Sequence, residues 1–203
     1  MNDNDDKSRK PLQQRSIARV DAILKSALER FGMAGISSVS MKEIAIHADV
    51  TASSIYQYFP DKNAIILELG LRFNEQIKNT ITNYNQEITT HADVQAYALN
   101  LLQSNYIFLA KNPGWIVVIN ELRTSNNYSE NPKKQVSNFA NLVAEKLYNF
   151  VPKAEHEQLR KLCYWWVHVA FATLTISLET TEKEENFILA SETFANKIGK
   201  LIN

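Results

Sequence analysis

The chain has little of what several classes of protein require. Its 203 residues contain one cysteine, Cys163, together with only five glycines and five prolines, and the formal net charge is zero. A single cysteine cannot form an internal disulfide, and the scarcity of turn residues and of alternating apolar runs argues against a β-rich fold. A neutral chain also has no bulk attraction to polyanions, so any charged site must be local.

Signatures of catalysis and of metal binding are missing too. The four histidines are scattered, with no HExxH or cysteine-rich spacing, and no glycine-rich phosphate loop occurs. Cys163 stands near two tryptophans and has no obvious basic partner. This favours a buried structural thiol over a nucleophile or redox sensor. The sequence therefore predicts no enzyme, no catalytic residue, no cofactor and no metal site.

Targeting and membrane signals are likewise not found. The first ten residues are polar and charged, unlike a signal peptide. The longest uncharged run, 162–178, is short for a membrane span and contains several polar residues. We therefore expect a cytoplasmic protein that has no membrane partner.

What is present is helical periodicity, with apolar residues three and four apart over long stretches. It predicts an all-α fold of about nine helices. We expect a disordered arm at 1–10 and a first helix that begins at Pro11 and ends at the glycines Gly32 and Gly35. The later helices are predicted at roughly 61–88, 92–111, 113–126, 132–150, 154–180 and 183–202.

Two short helices follow the first one and complete a compact module. Ser40 and Glu43 form a capping box that opens the helix MKEIAIHA. After a turn, Thr51 caps a third helix that runs to about Tyr58, and Asp61 caps the next helix. Two short helices joined by a tight turn are typical of a helix-turn-helix domain, which we predict over 11–60.

Charge is concentrated in this module. Between residues 7 and 62 there are nine basic and five acidic residues, an excess of four positive charges, so the remainder is slightly acidic. A basic N-terminal module on a neutral chain fits a localised site for a polyanion such as DNA.

The stretch TASSIYQYFPDK, residues 51–62, suits a helix that reads DNA. Its small hydroxyls let a backbone approach and can donate to phosphate, Gln57 can pair with adenine, and the ring of Tyr56 can press on a thymine methyl. Ile55 and Phe59 are four apart and can face the core together. The alternative is that Tyr56 and Tyr58 belong to a helix-packing seam.

These residues resemble the DNA-binding domain of TetR-type (tetracycline-repressor-like) transcriptional regulators. The resemblance spans 15–67 and rests on ALERFGMAG, the helix MKEIA and the pattern V-x-x-x-x-I-Y-Q-Y-F-P-D-K. It covers about a quarter of the chain in detail, and the rest matches only in length and helical layout. It implies a bacterial regulator with a C-terminal helical effector-binding and dimerisation domain over 61–203.

The resemblance also implies that the third helix lies in the major groove. The residues it implies as DNA contacts are Lys42, Thr51, Ala52, Ser53, Ser54, Tyr56, Gln57, Tyr58 and Lys62. Lys42 would reach a base or phosphate, and Lys62 would hold a phosphate. Two positions depart from the family pattern: Asp49 stands where a turn glycine is usual, and Ala52 where relatives often carry a longer polar residue.

One such module makes too few contacts for tight binding, so a two-fold dimer on a palindromic double-stranded DNA operator is expected. The last two helices carry apolar stripes that suit this role, as the final pair does in TetR-type proteins. The predicted homodimer interface comprises Leu162, Trp166, Ala170, Leu174, Phe187, Phe194 and Ile198. The alternative is that these two helices are simply core.

The central helices are rich in aromatic residues, and the resemblance implies a small-molecule effector pocket there. We predict a small, largely apolar effector held by Tyr97, Gln103, Tyr106, Trp115, Asn120, Phe139 and His168. The alternative is that the aromatics fill a closed core. The implied function is a ligand-responsive regulator, by default a repressor, released from DNA when effector binds. The rival class is an all-helical interaction module that never touches DNA.

Overall fold

The structure, a computed structural model, describes residues 4–124 and 132–202, with side chains in 14–124 and 134–202. Within these ranges the chain forms nine α-helices and no β-strand, which confirms the all-α prediction. The helices are α1 Asn4–Ala34, α2 Met41–His47, α3 Ala52–Tyr58, α4 Lys62–Thr82, α5 His91–Ala110, α6 Gly114–Thr124, α7 Pro132–Leu147, α8 His156–Glu179 and α9 Lys183–Gly199. A single 3-10 turn, Lys153–Glu155, precedes α8. No helix in the described ranges is long and apolar enough to cross a membrane.

Two helix boundaries differ by more than three residues from those that the sequence predicts. α1 begins at Asn4 rather than at Pro11, because a polar composition alone does not stop a helix from continuing towards the N-terminus. α4 ends at Thr82 rather than near 88, and a separate cap opens α5. The backbone N–H of Thr90 donates to the Asp93 carboxylate at 2.8 Å, and the hydroxyl of Thr90 accepts from the Asp93 N–H at 3.2 Å. This capping box fixes the start of α5.

The helices form two compact units. Unit 1 contains α1 to α3, α4 as far as Leu71, and α6. Unit 2 contains α4 from Arg72 onward together with α5, α7, α8 and α9. The division therefore falls within α4, and α6 groups with the N-terminal helices rather than with the rest of the predicted 61–203 domain.

Glycines allow α6 to pack closely on α1 inside unit 1. A Cβ on Gly32 would lie 2.8 Å from the backbone nitrogen of Gly114, and a Cβ on Gly114 would collide with the carbonyl oxygen of Leu28. Any larger side chain at either position would have to push two backbones apart. The close approach of α1 and α6 is thus encoded by residue size, a signal that hydrophobic periodicity does not contain.

The core of unit 1 joins the three N-terminal helices to the start of α4. Its fully buried side chains include Ile23, Phe31, Ile44, Ile55 and Ile65. The buried hydroxyl of Ser26 also donates to the carbonyl of Ile44 at 2.9 Å, which links α1 to α2. The short helices α2 and α3 are therefore held by burial and by this bond rather than by their own length.

The core of unit 2 contains most of the residues that the sequence assigns to a dimer interface. The rings of Trp166 and Phe194 stack with their centroids 4.6 Å apart. Buried with them are Leu174, Phe187 and Ile198, while Leu162 and Ala170 are half-buried. The five buried side chains pack within a single chain, as the core alternative predicts, and their assignment to a dimer interface stays a prediction. α8 and α9 are apolar on more than one side, and periodicity alone cannot tell which side packs against other helices of the same chain.

Candidate nucleic-acid interface and ligand site

α3 is a single short helix fixed at both ends. The Thr51 hydroxyl accepts a hydrogen bond from the Ser54 backbone N–H at 3.1 Å, which confirms the predicted cap. Ile55 is completely buried and Phe59 is 6% exposed, so these two residues anchor the helix as the sequence predicts. Because residues four apart share a face, Tyr56 and Gln57, which directly follow Ile55, are turned away from the core.

The predicted DNA-contact residues divide into an exposed group and a group with internal partners. Five have exposed side chains: Lys42, Ala52, Ser53, Tyr56 and Gln57. Of these, Ser53 also has a hydroxyl contact with Thr51 at 3.1 Å. The Tyr56 side chain is 55% exposed, so it does not belong to a packing seam within the chain. An exposed aromatic beside an amide and a small hydroxyl can contact bases and phosphates.

Tyr58, by contrast, is tied to α1. Hydrogen bonds with the side chains of Arg19 and Ser16 lower the pKa of Tyr58 below its ordinary value, and the bond with Arg19 has the larger effect. The side chain is half-buried, which fits the alternative that Tyr58 packs within the domain better than the role of a free side chain that binds phosphate. Arg19 and Ser16 were missed by sequence reasoning, although their spacing of three places them on one face of α1.

Lys62 also has internal partners. Its ammonium donates to the carbonyl oxygen of Ile36 at 2.6 Å and to that of Val39 at 2.9 Å. These carbonyls lie in the connection between α1 and α2, so the first residue of α4 holds that connection in place. An ammonium has three N–H donors, and two of them are used here.

The turn between α2 and α3 has the conformation that a glycine usually supplies. Asp49 has a φ of 54°, in the left-handed region. Aspartate tolerates this region better than most residues, so the turn can form although Asp49 replaces the usual glycine. The Val50 N–H donates to the carbonyl of Ala45 at 3.0 Å and closes the turn.

The start of α2 is equally well defined. Glu43 accepts from the backbone N–H of Ser40 at 2.8 Å, and the Ser40 hydroxyl accepts from the Glu43 N–H at 3.2 Å, which confirms the predicted capping box. These bonds from Ser40, with a smaller contribution from the nearby charge of Arg30, lower the pKa of Glu43. Lys42 is consequently presented on a helix with a fixed first turn.

The seven predicted effector residues do not share one unit. Trp115 and Asn120 lie on α6 in unit 1, and the other five lie in unit 2. Gln103 and His168 are exposed, Phe139 is half-buried, and Tyr106 packs edge-on against Phe187 at 5.5 Å between centroids.

Tyr97 is the most buried member of this set. Its ring is inaccessible to solvent, and burial raises the pKa of its hydroxyl. Among the described residues neither this hydroxyl nor the Oδ1 of Asn105 on the same helix has a hydrogen-bond partner. Buried polar groups are normally satisfied, so each of these two atoms, eight residues apart on α5, has unused hydrogen-bonding capacity. Burial also raises the pKa of the nearby Cys163 thiol to about 12, in keeping with a structural cysteine.

Unit 2 also has a groove that sequence reasoning missed. Its volume is about 650 Å³, and none of the seven predicted effector residues lines it. Its lining comes from the end of α4, the connection to α5 and one face of α5, and consists of Gln76, Asn79, Thr80, Asn83, Tyr84, Asn85, Gln86, Asn100 and Ser104. A stripe of amides and hydroxyls gives no hydrophobic signal, which is why periodicity did not reveal it.

The comparison with family models finds one match. Residues 23–69 match the model of bacterial regulatory proteins of the tetR family, which confirms the resemblance drawn from the sequence. The match contains α2 and α3 with the turn at Asp49. No curated protein sequence matches the chain.

Solved structures extend the likeness of fold over most of the chain. A putative tetR-family regulator from Shewanella sp. PV-4 is 16% identical with a TM-score of 0.64, over 89% of this chain and 97% of that one. A tetR-family regulator from Streptomyces coelicolor is 18% identical with a TM-score of 0.64, over 91% and 86%. The SmeT–triclosan complex is 14% identical with a TM-score of 0.62, over 89% and 91%. At these identities the likeness is one of fold.

Proposed function

We propose that this chain, whose residues 23–69 match the tetR family of bacterial regulatory proteins, is a ligand-responsive transcriptional regulator that binds a palindromic operator as a homodimer. Repression is the sign of regulation that we infer, with release from DNA when effector binds. The observation that carries the proposal is the exposed surface of α3 and α2, with Lys42, Ser53, Tyr56 and Gln57 held outward by a capped and buried helix-turn-helix.

Each exposed side chain has a role in this proposal. Gln57 reads a base, because an amide can donate to and accept from the edge of adenine. Ser53 and Tyr56 contact phosphate or a thymine methyl, and Lys42 reaches phosphate or a base. Thr51, Tyr58 and Lys62 act mainly by keeping α3 and the connection between α1 and α2 in position, since their side chains bond within the domain, and Ser54 takes part through its backbone N–H.

For the dimer we propose a different face from the one that the sequence suggested. On α8 an exposed stripe contains Trp165, Ala172 and Ile176, spaced seven and four apart, and on α9 Leu189 is 67% exposed. These residues remain accessible after the core residues of the same helices are buried. A second copy of the chain is the partner that a palindromic site requires.

An effector site in unit 2 is supported by the buried and unpaired polar atoms of Tyr97 and Asn105. A ligand that satisfied them would bind one conformation of unit 2 better than another and so shift its population. α4 begins in unit 1 and ends in unit 2, so a change along this helix is the route by which we expect binding to reach α3. Such coupling is reciprocal: DNA must weaken effector binding by the same factor.

The test is binding to operator DNA that has been selected from random fragments by the purified protein. We expect Gln57→Ala to lose sequence preference by about 1–3 kcal/mol while nonspecific binding is nearly unchanged, because a bidentate base contact supplies discrimination of that size. Fluorescence anisotropy on the selected and on scrambled duplexes measures both terms. Equal losses on every sequence would contradict a base-reading role for Gln57.

A salt series separates this function from that of a helical interaction module. Release of counterions makes DNA affinity fall steeply with salt, and Lys42→Gln should reduce the slope by about one. The matched control is Lys78→Gln, a change of the same type on α4, where Lys78 lies 3.4 Å from Glu75. A flat salt dependence of the unaltered protein would contradict DNA binding altogether.

A further inference from the structure

The groove at the end of α4 is lined by neutral polar groups. Gln76, Asn79 and Thr80 lie at helical spacing along one face of α4, and Asn83 follows directly after the helix ends at Thr82. Asn100 and Ser104, one turn apart on α5, provide part of the lining as well. Six of the nine lining residues are amides, and none is charged. Helix surfaces in contact with solvent normally carry Lys and Glu, so a lining of amides and hydroxyls without any charge is unusual.

The connection that forms one end of the groove is held in place from several directions. The ammonium of Lys146 on α7 donates to the carbonyl of Thr82 at 2.9 Å and to that of Tyr84 at 3.0 Å. Asp93 accepts from the N–H and the hydroxyl of Thr89, at 3.0 and 3.1 Å. The two charges beside the connection are thus used to fix its backbone, and the lining keeps a defined shape before any ligand arrives.

Tyr84 gives the groove one aromatic surface. Its hydroxyl donates to the Oε1 of Gln86 at 3.1 Å, and its ring packs against that of Tyr97 with centroids 4.8 Å apart. The hydrogen bond and the ring contact therefore fix the orientation of the Tyr84 ring. A fixed ring among amides can contact the C–H face of a ligand while the amides bond the polar groups at its rim.

We propose that this groove binds a neutral polyhydroxylated ligand of saccharide type. Each hydroxyl of such a ligand both donates and accepts, as does each amide, so the pairing needs no net charge. An anion would find no cation in the lining, and a wholly apolar molecule would leave the amides unpaired at a cost. The volume of about 650 Å³ lies within the roughly 300–1,000 Å³ of small-molecule sites and is adequate for one or two sugar rings.

The experiment is saturation-transfer NMR and calorimetry of the whole chain with defined probes at millimolar concentration. The neutral probes are D-glucose, N-acetyl-D-glucosamine and maltose; the comparison probes are D-glucuronic acid, D-glucose 6-phosphate and indole. We expect at least one neutral saccharide to bind and the anions and indole to bind more weakly. Binding by none of the neutral saccharides, or preferential binding of an anion or of indole, would overturn the proposal.

Substitutions locate the binding. Asn79→Ala and Asn100→Ala should each weaken saccharide binding by about tenfold, because each removes a side-chain partner of the ligand. Alanine is a good helix former, so both variants should keep the helical circular-dichroism signal. Asn196→Ala is the matched control, since Asn196 is an exposed asparagine on α9 of the same unit but does not line the groove. Equal loss in the control and the groove variants would place the ligand elsewhere.

The ligand class does not depend on the proposed regulatory function, and a second measurement keeps the two apart. If a saccharide that binds the groove also lowers affinity for operator DNA, the groove is an effector site of the proposed regulator. If it binds and leaves DNA affinity unchanged, the groove proposal stands and its regulatory role fails. Loss of binding in Asn79→Ala and Asn100→Ala without any DNA present tests the groove alone.

Discussion

The residues in and around α3 have two different roles: some hold the helix in position, and others are exposed and available for DNA contact. Thr51, Tyr58 and Lys62 make hydrogen bonds that set the position of α3 and of the connection before α2, whereas Tyr56 and Gln57 are exposed. The sequence pattern contains both kinds in one run of twelve residues. A motif that looks like a list of DNA contacts is therefore partly a set of supports for the helix that makes those contacts.

Lys62→Met tests the supporting role. Methionine keeps most of the side-chain stem but removes the ammonium, and the carbonyls of Ile36 and Val39 lose a charge-assisted partner. We expect the free energy of unfolding to fall by about 1–3 kcal/mol. Urea unfolding followed by circular dichroism measures the change.

Lys42→Met is the control for this substitution, because Lys42 is exposed on α2 and should tolerate the change within about 0.5 kcal/mol. If the two variants were equally stable, the hydrogen bonds from Lys62 would contribute nothing to stability. Phosphate binding would then be the main role of Lys62. The salt slope of DNA binding, measured on both variants, then decides that point.

At the scale of elements, contacts between backbones decide how α6 is placed within unit 1. The Cβ of any residue at 114 would meet the carbonyl oxygen of Leu28, and a Cβ at 32 would lie 2.8 Å from the nitrogen of Gly114. Hydrophobic burial draws α6 to unit 1, but only glycine allows this separation. The position of α6 against α1 therefore depends on Gly32 and Gly114, which a hydrophobic pattern does not identify.

Gly114→Ala should destabilise the chain by about 1–3 kcal/mol, because the added methyl group presses on backbone rather than on a mobile side chain. Gly70→Ala is the matched comparison: its Cβ would meet the Leu122 side chain, whose Cδ1 would be 2.6 Å away and can rotate. Alanine is also favoured over glycine in a helix by about 1 kcal/mol. Thermal unfolding of both variants gives the result, and a Gly114→Ala no less stable than Gly70→Ala would contradict the backbone explanation.

At the scale of the whole molecule, the surface that remains after folding decides what a second copy can touch. The core of unit 2 buries Trp166, Phe187 and Phe194. Trp165, next in sequence to Trp166, stays 40% exposed, and Ile176 stays 52% exposed. We therefore expect an association of two chains to use the second set, because the side chains of the first set are already buried.

Ile176→Glu should weaken the dimer by about 100-fold or more, since a two-fold axis brings two new carboxylates towards one interface. Ile107→Glu on α5 is the matched control, because Ile107 is 56% exposed and lies outside the proposed face. Sedimentation equilibrium measures both. Loss of association in Ile107→Glu but not in Ile176→Glu would place the interface on another surface.

Much of the fold was predictable because its signals are local. The starts of α2, α3 and α4 follow from Ser40, Thr51 and Asp61, whose side chains accept from backbone N–H groups within the next three residues. The cap at Thr90 is also local, yet helical periodicity predicted that α4 would run to about 88, beyond its observed end at Thr82. The roles of Arg19 and Lys62 could not be foreseen, because their partners are distant in sequence.

The sequence by itself determined the helical class, the order of the helices, the anchoring of α3 by Ile55 and Phe59, and the family to which 23–69 are similar. These properties depend on spacing and capping within a few residues. Only the tertiary structure decided which faces of α8 and α9 are interior, which polar side chains near α3 are already bonded, and that the amides of α4 and α5 line one groove. Each of these depends on residues far apart in the chain that meet only when hydrophobic burial has folded it.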